Sequence, residues 1–226
     1  MNNYVITIAR GFGSGGRQIA AKLADALQIH SYDNRIMTLA SQYSGYDEHY
    51  FKEANETLNG SLITKQLLEL PKMFKTKGIM SKFVSDDRLF EFQKTIIERL
   101  ADTESCVIVG RCSDYILKDR DNVFSIYVEA TRPYCLQRVM ERMDDITEEE
   151  ANELITKTDK YRSDYYTYYT GGRKWNKPTN YDLVINNARW GDEKAVQMII
   201  QAIRIKFGED WYQKFVLDLP QEEEQE

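Results

Sequence analysis

Residues 4–18 read Tyr4-Val5-Ile6-Thr7-Ile8-Ala9-Arg10-Gly11-Phe12-Gly13-Ser14-Gly15-Gly16-Arg17-Gln18. Tyr4 to Ala9 form a β-rich run that stops at a glycine cluster, after which Ile19, Ala20, Leu23, Ala24 and Leu27 recur at helical spacing. The pattern predicts a strand, a glycine turn and a helix. Backbone N–H groups converge in such a turn and the helix adds the positive end of its dipole, so an anion, phosphate above all, is its natural guest. From Gly11 the spacing follows the phosphate-loop pattern G-x-x-x-x-G-K-[ST], with Arg17 in the place of lysine and Gln18 in the place of the hydroxyl residue. Arg17 can still neutralise β- and γ-phosphate charge, in a bidentate manner that lysine does not share. Without the hydroxyl, water, Ser14 or a carboxylate must serve Mg²⁺. The nucleotide-binding set read from this stretch is Gly11, Gly13, Ser14, Gly15, Gly16, Arg17 and Gln18. Gly11, Gly13 and Gly16 also satisfy the dinucleotide spacing G-x-G-x-x-G, and that reading stays open. It is disfavoured because His30-Ser31-Tyr32-Asp33 is barely apolar and makes no clear second strand ending in an acidic residue.

Outward from the loop, Cys106-Val107-Ile108-Val109 and Val123-Phe124-Ser125-Ile126-Tyr127-Val128 look like buried strands, and Leu183-Val184-Ile185 adds a shorter one. Helical patterns lie between and after them. The alternation predicts an α/β fold, a three-layer α/β/α arrangement around a mostly parallel sheet, in one domain over residues 1–215. Two stretches break the alternation. From about 41 to 87 the chain is polar with helical patches such as Leu62 to Leu68, too long for a simple connection, and is expected to be a helical acceptor-side insertion. From about 138 to 175 a charged helix, with Thr147 capping Glu148-Glu149-Glu150, runs into a tyrosine-rich segment and is expected to be a mobile, arginine-bearing lid. Residues 216–226 read as an acidic disordered tail.

The 226 residues carry 36 acidic and 30 basic side chains, a formal net charge of −6, which argues against sequence-independent nucleic-acid binding. Three cysteines, Cys106, Cys112 and Cys135, and two histidines, His30 and His49, suggest neither a disulfide framework nor a metal centre. No basic-then-apolar leader precedes the first strand and no apolar run approaches bilayer-spanning length, so a cytoplasmic setting without a membrane partner is expected.

Ile8 to Arg17, then Tyr32-Asp33, then Val109-Gly110-Arg111, then Tyr181 to Asn186, in that order, resemble the cytidylate kinase-like family over nearly the whole chain. The resemblance implies a nucleoside-monophosphate-kinase fold, ATP as donor, Mg²⁺, and a small acceptor such as CMP. It places Arg111 and Asp33 at the acceptor, and Arg138, Arg142 and Arg162 among phosphate-clamping lid arginines. Val109 and Cys112 stand where authentic cytidylate kinases have aspartates around Gly-Arg. Electrostatics supports the basic set independently, since phosphoryl transfer is catalysed mainly by positioning and by stabilising charge on the phosphate oxygens. Arg138 and Arg142 lie four apart, as on one helix face, and Lys157 and Lys160 three apart; each taken alone also fits a solvated helix. The catalytic set is therefore Arg17, Arg138, Arg142 and Arg162, in an ATP-dependent kinase for a small molecule. A nucleotide-binding regulatory module and a kinase for a non-nucleotide acceptor are the alternatives. The oligomeric state is not legible.

Overall fold

A computed structural model describes residues 3–33, 36 and 86–213. The expected insertion, all but its last two residues, and the acidic tail lie outside the described residues. Along the chain run β1 (Val5–Arg10), α1 (Gly16–Ala26), β2 (His30–Tyr32), α2 (Asp86–Thr103), β3 (Cys106–Val109), α3 (Ser113–Ile116), β4 (Val123–Glu129), α4 (Arg132–Met140), α5 (Glu148–Tyr169), β5 (Leu183–Asn186), α6 (Asn187–Phe207) and α7 (Glu209–Tyr212). The five strands form one parallel sheet in the order β2-β3-β1-β4-β5.

The period-two alternation of strand side chains assigns the layers. Ile6 and Ile8 of β1, Val107 and Val109 of β3, and Phe124, Ile126 and Val128 of β4 face one way, onto Ile19 and Leu23 of α1 and Ala195 and Ile199 of α6. Val5, Cys106, Ile108 and Val123 face the other way, onto Ile96, Ile97 and Leu100 of α2. With both faces covered the central strands read as continuous apolar runs, which is why β1, β3 and β4 are visible in the sequence. β2 is not. It is an edge strand paired only with β3 and buries only Tyr32, so two of its three residues carry no apolar signal. The strand order also decides between the two glycine patterns. β1 sits between β3 and β4, whereas the dinucleotide fold places its first strand beside its second.

Thr147 caps α5 in a capping box: its hydroxyl accepts from Glu150 N at 3.2 Å and the Glu150 carboxylate accepts from Thr147 N at 2.9 Å. The C-terminal part of α5 is anchored in an aromatic cluster in which Phe90 stacks on Tyr169 at 3.9 Å and Tyr166 packs near Trp175 and Tyr127. Among the described residues no helix is long and apolar enough to cross a membrane, and the three cysteines are buried and unpaired. Ile8 lies fully buried at the centre of the sheet, so Ile8→Ala is expected to cost about 2–5 kcal/mol, read from the denaturant midpoint at unchanged slope.

Candidate functional site

All the loops that matter leave the carboxyl ends of strands, where a ligand binds in an open parallel sheet. The β1–α1 loop, Gly11 to Gly15, is pinned from behind. Asn187, at the start of α6, donates to Ser14 O at 2.9 Å and to Asp192 Oδ1 at 2.7 Å, and Arg138 pairs with Asp192 through both Nη groups at 3.1 Å. Gly15 adopts φ 89°, and a Cβ there would run into Asn187 and come within 2.9 Å of Asp192 Oδ1. Only glycine fits. From the front, α5 grips the loop: Asp159 accepts from Phe12 N at 2.8 Å and Arg162 donates to Arg10 O at 3.1 Å, its guanidinium 5.5 Å from the Phe12 ring centre.

Two cavities open beside the loop. One, of about 140 Å³, lies over Gly11 to Gln18 and also takes in Arg142 and Arg162. The other, of about 260 Å³, runs towards Arg111, Asp114, Tyr161 and Trp175. Arg10, Arg17 and Arg162 line both. Of these, Arg10 was missed in the sequence, where it reads as the end of the first strand. Its guanidinium is mostly buried, pairs with Asp33 at 3.1 Å, and has its pKa pushed down to about 10, first by burial and further by the charges of Arg162, Arg17 and Arg111. Arg10 is still cationic at neutral pH, and the depression reflects burial first and the neighbouring positive charges after it, with Asp33 opposing both. Burial likewise lowers the Arg162 pKa. No carboxylate lines the loop cavity among the described residues. Ser14 Oγ in the loop and Gln18 Oε1 in the first turn of α1 are buried without a hydrogen-bond partner among the described residues.

Beyond β3 the chain turns through three successive left-handed residues, Gly110 (φ 74°), Arg111 (φ 61°) and Cys112 (φ 56°). Left-handed geometry at two non-glycine residues costs about 1–2 kcal/mol each and marks a place where position matters more than stability. The turn brings Arg111 to the larger cavity, and Gly110 lacks a side chain where one would strike the Arg10 guanidinium. Behind it Asp114, buried, accepts from Tyr166 Oη at 2.7 Å and borders the same cavity. The sequence gives no hint of Asp114, which looks like an ordinary acidic residue in a helix's first turn.

The expected site residues divide. Gly11, Gly13, Gly15, Gly16, Arg17, Gln18, Arg142 and Arg162 gather at the loop cavity, and Arg111 at the larger one. Ser14 is buried beneath the loop. Arg138 and Arg142 do not share a helix face, because α4 ends at Met140 and Arg142 lies in the following turn. Arg138 is turned behind the loop onto Asp192 and Tyr134 and lines neither cavity. Asp33 lines neither cavity, since Arg10 and Arg17 occupy its two oxygens. Lys157 and Lys160 pair with Glu153 and Asp164 on the exposed face of α5, and exposed His30 lies 3.1 Å from Glu104.

A five-stranded parallel sheet in the order 2-3-1-4-5, with a glycine-rich loop and an open cavity after its central strand, defines a P-loop kinase fold. The chain belongs to the cytidylate kinase-like family, whose model matches residues 5–189. Among solved structures it is similar to an uncharacterized protein from Eubacterium ventriosum, at 27% identity and a TM-score of 0.66 over 89% of this chain and 98% of that one. Shikimate kinase from Bacteroides thetaiotaomicron matches at 13% identity and a TM-score of 0.48, over 89% and 98% of the two chains. Shikimate kinase from Acinetobacter baumannii matches at 13% and 0.47, over 89% and 93%. No curated protein matches. The family is a kinase-like one.

Burial raises the Asp114 pKa from 3.8 to about 6, opposed by the bond from Tyr166 and the charge of Arg173. Below the unfolded value the carboxyl is neutral in both states; as pH rises through the folded value the native state must hold a buried charge that the unfolded chain solvates. Stability is therefore lost between about pH 4 and pH 7, by on the order of 1–3 kcal/mol relative to Asp114→Asn. Parallel denaturant titrations of the two proteins check it, and equal pH slopes would place the carboxyl in water.

Proposed function

We propose that this protein transfers the γ-phosphoryl group of ATP to a small acceptor, a nucleoside monophosphate such as CMP being the foremost candidate. The reading is carried by one observation: Arg10, Arg17 and Arg162 line both cavities, so three guanidinium groups stand where a donor over the glycine loop and an acceptor beside Arg111 would meet. The backbone N–H groups of Gly13 to Gln18 and the N-terminus of α1 hold the donor phosphates. Arg142 neutralises charge on the loop side. Arg111 holds the acceptor, with Tyr161 and Trp175 as apolar walls. The acceptor oxygen bonds to the γ-phosphorus, the bond to the β–γ bridging oxygen breaks, and ADP departs. No protein nucleophile is needed, because positioning and charge stabilisation supply the catalysis.

Mg²⁺, when bound, would neutralise charge on the phosphate oxygens. The residues fit a metal carried in by the nucleotide better than a resident ion. Among the described residues the loop cavity offers no carboxylate, and the buried oxygens without a partner nearest it are Ser14 Oγ in the loop and Gln18 Oε1 in α1. Residues 138–175 serve as the lid, with α5 excluding water when it seats on the loop.

Incubation with ATP, Mg²⁺ and a panel of nucleoside monophosphates, following ADP and product, tests the reading directly. Acceptor-dependent turnover is expected, and Arg162→Ala should lower it by about 10²–10³-fold with a smaller effect on ATP binding. ATP binding without turnover of any acceptor would favour a regulatory module, to which the loss of the loop hydroxyl at Gln18 already points. Hydrogen exchange in residues 138–175 should slow when ATP is added, and equal protection in both states would make α5 a static scaffold.

A further inference from the structure

Asp33 directly follows the edge strand β2, and a different guanidinium takes each of its oxygens. Arg10 Nη2 donates to Oδ1 at 3.1 Å and Arg17 Nε donates to Oδ2 at 2.5 Å. The carboxylate is mostly covered and lines neither cavity, while both arginines line both. The choice of nitrogen matters. Arg17 is anchored through Nε, at the root of its fork, and its two Nη groups have no partner among the described residues. Its side chain is 58% exposed, so the outer edge of the fork is free to meet a ligand.

We propose that Asp33 is a positioning residue and not an acceptor ligand: it brackets Arg10 and Arg17 side by side at the wall shared by the two cavities, and Arg17 presents its outer fork to the phosphoryl oxygens there. The proposal rests on the phosphoryl-transfer reading above. It gives a physical reason for arginine in the loop's lysine position. Arginine can be held by a carboxylate at Nε while donating two further N–H groups in a fixed plane; lysine has one nitrogen and cannot divide itself in this way. Without Asp33 the two guanidinium groups repel and lose their common orientation, yet the site becomes no less positive. The loss falls on alignment, not on anion attraction.

Two variants test this. Asp33→Asn should lower kcat by about 10–10²-fold while acceptor KM stays within about threefold and ATP affinity does not fall. A rise of acceptor KM with kcat intact would overturn the proposal and return Asp33 to the acceptor. Calorimetric binding of ATP and of ADP to wild type, Arg17→Lys and Arg17→Ala needs no turnover and stands if Asp33→Asn does not fold. Wild type should prefer ATP by about tenfold or more, and Arg17→Lys should drop to the ratio of Arg17→Ala. Retention of the wild-type ratio by Arg17→Lys would sink the division of the fork. Failure of the wild type to bind ATP at all would instead sink the phosphoryl-transfer reading.

Discussion

A buried guanidinium at the end of the central strand constrains everything around it. A charge cannot be taken out of water without a partner and hydrogen bonds, and Arg10 is covered on nearly every side. Asp33 supplies the partner. Gly16 and Gly110 leave the space, the first lying where a Cβ would come within 2.5 Å of Arg10 Cβ. Arg162 satisfies the Arg10 carbonyl. The polar edge strand β2 then has an explanation that its weak apolar pattern obscures: three residues of pairing with β3 are enough to carry the chain to the place where Asp33 meets Arg10. Arg10, Arg17, Arg111, Arg142 and Arg162 line the two cavities against Asp33, Asp159 and Asp114, so the guanidinium groups outnumber the nearby carboxylates.

What could be read from the sequence follows from where each element lies. β1, β3 and β4 are covered on both faces and announce themselves as apolar runs; α1 shows its stripe because it packs on the sheet from one side only. The glycine loop is legible because its spacing is dictated by backbone geometry alone. The side chains around it are not, because charge in a sequence does not say which way it points. Arg138 and Arg142 are four apart, but α4 stops between them, so one faces the back of the loop and the other its mouth. Asp159 and Arg162 sit among Lys157, Lys160 and Asp164, whose exposed ion pairs give a solvated pattern that hides the two inward residues. Asp114 is concealed in another way, since only the fold brings Tyr166 to it across 52 residues of chain.

The grip of α5 on the loop ties the helix to the glycine turn. Asp159 holds the N–H of Phe12 and Arg162 the carbonyl of Arg10, so the helix touches the backbone on both sides of Gly11. The far end of α5 is fixed by aromatic packing around Tyr166 and Tyr169, and its N-terminal part by Ala151 and Ile155, which pack on Cys135 and Val139 of α4, and by Arg132, which donates to Asn152 and Thr156. A helix held at both ends and hydrogen-bonded to the loop at its middle cannot lift without releasing both backbone groups and withdrawing Arg162 from the shared wall. The conformation of the glycine turn and the position of the third guanidinium are consequently set by the same pair of docking bonds. Burial supports the same coupling: Asp159 has its pKa raised by desolvation and held in check by Phe12 N–H and Arg162, so undocking would expose a carboxylate and an arginine together and neither charge would be left buried alone.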